Sequence, residues 1–188
     1  MKVLLVNGSP HEHGETYEAL LSVEEGLKDQ GLIAEWVWIG NKPIRGCIGC
    51  NGCASKNRCV FNDDIANTLI EKIIEADGII IGTPVYFSGP NGALTAVLDR
   101  VFYAGQSYGK LFTGKPASAI ATMYRSGANH AIDRINKYFA FSGMPIITGD
   151  YWAIKFANSS VLPNDEQGKK VMYSIGKNMG ELLNKNNK

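Results

Sequence analysis

Apolar residues fall into short runs with two distinct spacings along the chain. Lys2–Asn7 (KVLLVN) is a continuous apolar run ending in Gly8-Ser9-Pro10, the pattern of a strand buried on both faces. Ala19, Leu20, Val23 and Leu27 then recur at helical spacing over Thr16–Gln30, and Gly31 stands where a helix C-cap is expected. Ala34–Ile39 (AEWVWI) predicts a second strand, and residues 40–63 show no periodicity. Asp63 and Asp64 predict a helix start, since acidic residues complement the helix dipole, with Ile65, Leu69, Ile73 and Ile74 on one face. Gly78–Gly82 (GIIIG) reads as a third strand, Leu94–Phe102 as a helix, and Ala117–Ala121 as a fourth strand. Ile132–Phe141 follows as a helix, Pro145–Thr148 as a fifth strand, and a final helix runs from about Asp165 to Leu183.

Five strands thus alternate with five helices, which predicts a parallel sheet covered by helices on both faces. At 188 residues the leading architecture is a single flavodoxin-like, doubly wound, five-stranded α/β domain spanning 1–188, with an insertion loop at about 40–63. Composition adds little to this picture: 45% hydrophobic, 20% charged and a net charge of +1. That balance gives no electrostatic footprint for nucleic acid or an anionic membrane. No apolar run approaches the roughly 18 residues a membrane helix needs. The N-terminal run passes straight into Gly, Ser, Pro and His, unlike a signal peptide, so a cytoplasmic location with reduced thiols is expected.

Open parallel sheets bind ligands beyond the carboxyl ends of their strands, where the strand order reverses. In this architecture that point lies between strands 1 and 3. Three loops reach it: Gly8–Glu15, Pro84–Gly92 and Met123–Asn129. The first, GSPHEHGET, joins a strand to a helix and offers hydroxyls and backbone amides to an anion. Glu15 stands where a Walker lysine would be, and the spacing is not that of a dinucleotide fingerprint. A phosphate held without lysine or magnesium suits a flavin mononucleotide better than ATP. Glu15 is expected to point away from such a phosphate and to complement the helix dipole. The second loop, TPVYFSGPNG, carries Tyr86 and Phe87 and fits the edge of a planar ring. The third supplies one cation, Arg125. Of the histidines, His11 and His13 lie in the first loop, and no Ser/His/Asp set is apparent.

All four cysteines fall in one stretch, Cys47-x2-Cys50-x2-Cys53-x5-Cys59. Three thiols at this spacing with a fourth nearby can converge on a [4Fe–4S] cluster, although the last gap is longer than in the compact ferredoxin run. Gly49, Asn51 and Gly52 would let the backbone wrap closely. Zinc usually takes two separated pairs. A zinc site, a redox dithiol and a metal-free loop stay open beside the cluster on spacing alone.

Taken together, GSP-x5-T, the run from Thr83 to Arg100 (TPVYF-x3-NG-x-L-x4-DR) and Gly114-Lys115-Pro116 resemble the flavodoxin-like NAD(P)H-dependent FMN reductases. The resemblance is strongest to their iron–sulfur flavoprotein branch, which carries a compact four-cysteine run before C-V-x-x-D-D. Here Cys59-Val60-Phe61-Asn62-Asp63-Asp64 stands in that place. The resemblance implies that Ser9, His11, Gly14 and Thr16, with Glu15 among them, surround the FMN phosphate. It implies that Pro84, Val85, Tyr86, Phe87 and Ser88 hold the isoalloxazine, with Asn91, Arg125 and Gly127 nearby. It also implies Cys47, Cys50, Cys53 and Cys59 as ligands of a [4Fe–4S] cluster. The implied activity is electron transfer from NAD(P)H through FMN to a flavin, quinone or similar acceptor. The alternative is a carrier fed by a ferredoxin-like protein without direct NAD(P)H oxidation. Relatives of this kind form homodimers or homotetramers, and Trp152 is a candidate for the contact.

Overall fold

The computed structural model describes residues 1–106, 109–158 and 164–186. Five strands form one parallel sheet: β1 (Lys2–Asn7), β2 (Ile33–Trp38), β3 (Gly78–Tyr86), β5 (Ala117–Met123) and β6 (Ile154–Phe156). A two-residue strand, β4 (Gly89–Pro90), folds back antiparallel on the end of β3. The order across the sheet is β2-β1-β3-β5-β6, so the winding direction reverses between β1 and β3, as the sequence predicts.

The helices are α1 (Glu15–Asp29), α2 (Ala66–Glu75), α3 (Gly92–Gln106), α4 (Ala128–Phe141) and α5 (Glu166–Asn186). Alternate residues of the central strands point to opposite faces and build two cores. Val3, Leu5, Ile80 and Ile120 pack against α1 and α5. Leu4, Val6, Ile79 and Ile81 pack against α2, α3 and α4. Fully burying one such Leu or Ile side chain contributes roughly 1.5–3 kcal/mol. The α1–α5 crossing is unusually close, because a Cβ on Gly26 would lie 2.1 Å from Tyr173 O and one on Gly176 would lie 2.0 Å from Val23 O. That crossing fixes α1, and with it the loop that leads into α1.

Two elements depart from the sequence reading. The fifth strand is not Pro145–Thr148, which makes only a single bridge, Ala117 to Ile146. The last parallel strand is β6, paired to Ala121–Met123 at the carboxyl end of β5. Apolar content alone marked PIIT as a strand, and the less apolar IKF segment carries the ladder instead. Helix α2 begins at Ala66 rather than at Asp63, and Asp64 Oδ1 accepts the Ala66 N–H at 3.0 Å. Its buried face is Ala66, Leu69, Ile70 and Ile73, while Ile74 is exposed. No helix among the described residues is long and apolar enough to cross a membrane.

Candidate functional site

The loop after β1 is tied down by its own side chains. Buried Asn7 accepts the Ser9 N–H on Oδ1 at 3.0 Å and donates from Nδ2 to Glu12 O at 2.9 Å. Ser9 Oγ accepts the His11 N–H at 3.1 Å, and Trp38 Nε1 on β2 donates to Ser9 O at 2.8 Å. Gly8 N–H donates to Gly82 O at 2.8 Å, and a Cβ on Gly8 would lie 2.5 Å from Leu94 Cδ2. The loop therefore sits directly against β3 and the start of α3. It delivers Gly14 as the residue before α1, with no side chain capping the helix. The first-turn amides of α1 have no partner inside the helix and face the rim, which is a geometry suited to an anion.

The first two residues of α1 are both committed. Thr16 is buried, and its Oγ1 lies 2.9 Å from Thr122 Oγ1 on β5, so its hydroxyl turns to the sheet. Glu15 does point away from the loop, and its partner is specific: Lys155 Nζ on β6, at 2.6 Å. Lys155 is only 2% exposed and also donates to Phe156 O at 3.2 Å. Neither Asn7 nor Lys155 is legible as a site residue in the sequence. Asn7 reads as the end of a strand, and Lys155 lies outside the stretch predicted to be strand five.

The second loop is a tight hairpin. Tyr86 pairs with Gly89 and Val85 with Pro90, leaving Phe87 and Ser88 as the two turn residues. Both have positive φ, 49° and 61°, the backbone of a type I′ turn. Such turns favour Asn and Gly, and a bulky Phe there is strained by about 1 kcal/mol or more. Phe87 is fully solvent-exposed and Tyr86 is 45% exposed, so the aromatic pair stands out at the rim rather than packing inward. Pro84 and Val85 are half-buried beneath them.

The third loop meets the second through Gly127. Its φ is 90°, and a Cβ there would lie 2.6 Å from Ser88 Oγ and 2.7 Å from Ser88 Cα. Only glycine lets α4 start this close to the hairpin. Arg125 is exposed and lies over the Tyr124 ring, 5.7 Å from its centroid. Asn91 is placed differently from expectation: its Oδ1 accepts the N–H groups of Ala93 and Leu94 at 2.8 and 3.1 Å, so that oxygen caps α3. Its own N–H donates to Thr83 Oγ1 at 3.0 Å.

The cysteine segment is irregular and packs on the other side of the sheet, against α2 and α3. Cys47, Cys50, Cys53 and Cys59 all line one small cavity of about 20 Å³, together with Val60, Phe61, Arg100 and Tyr103. Cys53 is buried and belongs to the core, whereas Cys47 and Cys50 are exposed. Burial pushes the Cys53 thiol pKa up, and the neighbouring Cys59, Cys47 and Cys50 push it further. Gly49 and Asn51 do take positive φ, 64° and 56°, which turns the chain around the cavity. Tyr103 donates its hydroxyl to Asn51 Oδ1 at 2.8 Å.

Two buried side chains hold this segment, and pattern reading missed both roles. Asn67 of α2 accepts the Cys59 N–H at 2.8 Å and donates to Cys59 O and Phe61 O at 3.0 and 3.1 Å. Arg100 of α3, 2% exposed, donates to Cys59 Sγ at 3.3 Å, to Phe61 O at 3.2 Å and to Arg45 O at 3.4 Å, and pairs with the Asp64 carboxylate. Burial opposes its charge, but Asp64 and Cys59 more than offset this and hold its pKa above the ordinary guanidinium value. Among the described residues no three His, Cys, Asp or Glu side chains close around a single metal ion. A four-iron cube binds its four cysteines one per corner rather than at one point, so the thiol-lined cavity with an N–H donor to sulfur is the relevant fit. The donor set matches such a group.

A β2-β1-β3-β5-β6 parallel sheet with its open rim at the β1/β3 reversal defines a flavodoxin-like fold. An archaeal flavodoxin superimposes with a TM-score of 0.66 at 13% identity, covering 98% of this chain and 99% of that one. A flavone reductase superimposes at 0.70 with 18% identity, covering all of this chain and 64% of that one. The chain belongs to the NADPH-dependent FMN reductase family, which it matches over residues 1–159. It is 26% identical over 189 residues to an iron-sulfur flavoprotein of Methanocaldococcus jannaschii, covering 97% of both chains. It is 29% identical over 185 residues to an iron-sulfur flavoprotein of Methanosarcina thermophila, covering 97% of this chain and 95% of that one. It thus lies among the FMN-dependent flavoprotein oxidoreductases.

Proposed function

We propose that the chain is an iron–sulfur flavoprotein: an FMN oxidoreductase in which Cys47, Cys50, Cys53 and Cys59 hold a [4Fe–4S] cluster. The observation that carries this reading is the single cavity lined by all four thiols, with the buried Arg100 donating to Cys59 Sγ. The names of the full-length relatives support it. FMN, when bound, supplies two-electron and one-electron chemistry, and a cluster supplies one-electron exchange.

The chain's own residues would bind and orient. The Gly8–Gly14 loop and the first-turn amides of α1 would receive the phosphate, with Ser9 and His11 at the loop and Gly14 leaving room. The Val85–Gly89 hairpin, held by Gly127, would set Tyr86 and Phe87 beside the ring system. Arg125 is the cation available to that rim. Arg100 would orient Cys59 and stabilise negative charge on its sulfur. Exposed Tyr151 and Trp152 are the surface offered to a second copy of the chain in a homodimer or homotetramer. Electrons would enter from a ferredoxin-like protein, one at a time.

A second reading takes electrons directly from NAD(P)H and passes them to a small-molecule acceptor. The family's description favours it, as does 28% identity over 100 residues to a putative NAD(P)H-dependent FMN-containing oxidoreductase of Bacillus subtilis. Anaerobic purification with iron, sulfide and flavin quantified together tests the cofactors; iron near zero after reconstitution would sink the cluster. Mixing the loaded protein with NADH or NADPH without oxygen, and separately with reduced ferredoxin, separates the donors. Bleaching of the flavin band within seconds by NAD(P)H would establish the second reading over the first.

A further inference from the structure

We propose that Lys155 is a positioning residue for phosphate recognition, acting by neutralising Glu15 so that the N-terminus of α1 stays electropositive enough for a phosphorylated flavin. The proposal rests on the FMN reading above and concerns how that site tells FMN from riboflavin.

Glu15 is the first residue of α1, directly after Gly14 and the Gly8–Gly14 loop. An uncompensated carboxylate there would repel a phosphate that carries nearly two negative charges. It would also cancel part of the favourable dipole and amide field of the helix start. The structure removes that conflict with a lysine brought in from far along the chain. Lys155 Nζ lies 2.6 Å from Glu15 Oε2, and the lysine side chain is 2% exposed against 31% for Glu15. A lysine this buried is costly to hold unless its charge is matched. Its other acceptor is a neutral carbonyl, Phe156 O at 3.2 Å.

The lysine is also held in place by its surroundings. Residue 155 pairs with Thr122 across β5 and β6, and Thr122 Oγ1 lies 2.9 Å from Thr16 Oγ1. Asp165, ahead of α5, accepts the next backbone N–H, of Phe156, at 2.8 Å. The first two residues of α1 are therefore both pinned to the β5–β6 edge, one by a hydroxyl pair and one by an ion pair. A purely structural ion pair would serve stability alone. This one cancels the negative charge that the sequence places against the anion-binding loop.

The test compares FMN with riboflavin, which differ only in the phosphate. Flavin-free protein is titrated with each, following quenching of flavin fluorescence to obtain Kd. Lys155→Met is expected to weaken FMN binding about tenfold or more while leaving riboflavin within about twofold, because only the phosphate meets the freed carboxylate. Glu15→Gln, at a partly exposed position that tolerates the change, is expected to tighten FMN several-fold with riboflavin unchanged. The double variant Lys155→Met/Glu15→Gln should recover FMN affinity to near the wild-type value. Equal losses for both flavins in Lys155→Met, or no change in the FMN-to-riboflavin ratio in Glu15→Gln, would overturn the proposal. Should Lys155→Met fail to fold by circular dichroism, the Glu15→Gln ratio decides alone. A wild-type protein that binds neither flavin would overturn the FMN reading itself, and this proposal with it.

Discussion

Replacing Arg100 with methionine should be among the most damaging single changes outside the apolar core. The side chain is 2% exposed, and the Asp64 carboxylate it pairs with is 8% exposed. Removing the guanidinium leaves Asp64 charged and buried with one described partner, the Ala66 N–H. It also strips a donor from the carbonyls of Arg45 and Phe61 and from Cys59 Sγ. Breaking one side of a buried ion pair costs about 3–5 kcal/mol, and each orphaned carbonyl adds up to about 1 kcal/mol. These contributions overlap, so a loss of about 4 kcal/mol is expected, a large share of the roughly 5–15 kcal/mol typical of a domain. Urea unfolding of the reduced, cofactor-free protein under argon measures it as a lower midpoint with an unchanged slope. Asp64→Asn alone leaves Arg100 buried and underpaired, at a cost of about 2–3 kcal/mol. The double variant should cost clearly less than the sum, with a coupling of about 2 kcal/mol. The rate of thiol labelling gives a local readout: buried Cys53 should become reactive in Arg100→Met at urea concentrations where the wild type protects it. A loss under 1 kcal/mol, or strict additivity of the two substitutions, would refute the view that this pair is the anchor of the cysteine segment.

Other substitutions probe other parts of the frame. Hydrogen bonds from Lys2 and then Lys72 hold the Glu35 carboxyl below its ordinary pKa, with burial opposing. Its contribution is therefore complete above the ordinary carboxylate value, about 4.3, and disappears as pH falls through the lowered folded value. Glu35→Gln should lower Tm at pH 7 and converge on the wild type below about pH 4 in a pH series of thermal melts. Gly127→Ala forces a Cβ into Ser88 and a positive φ on an L-residue, and should cost about 2 kcal/mol or more in denaturant unfolding while weakening FMN binding. Phe87→Gly should do the opposite for stability: the exposed ring contributes no burial, so relieving its positive φ should stabilise by up to about 1 kcal/mol while FMN binding weakens. An unchanged or lower midpoint for Phe87→Gly would show that the turn is not strained.

The doubly wound sheet is legible in the sequence because its central strands are buried on both faces, which writes KVLLVN and GIIIG as unbroken apolar runs. The edge is harder to read. β6 is three residues long and includes a lysine, and its ladder depends on a partner strand rather than on its own composition. The three rim loops are predictable from topology, since a reversal between β1 and β3 dictates which loops meet. Their internal geometry is not. Asn91 as a helix cap and the I′ turn at Phe87–Ser88 depend on backbone conformations that Phe and Ser do not advertise. The long-range partners are the least legible of all. Glu15 with Lys155, and Cys59 with Arg100 and Asn67, are pairings made by tertiary packing between segments with no local relationship.

The two chemistry-bearing loops lean on opposite layers of the molecule. The phosphate-loop end of α1 is braced by α5 and the β5–β6 edge, while the cysteine segment is braced by α2 and α3 across the sheet. Changes in well-separated parts of a structure that share no partners add nearly independently. The fold is in that sense modular to selection: a lineage could rewrite or discard its thiols while the phosphate grip persists, or retune the grip while the thiols stay. One inherited frame can thus serve electron transfer of different kinds without being rebuilt.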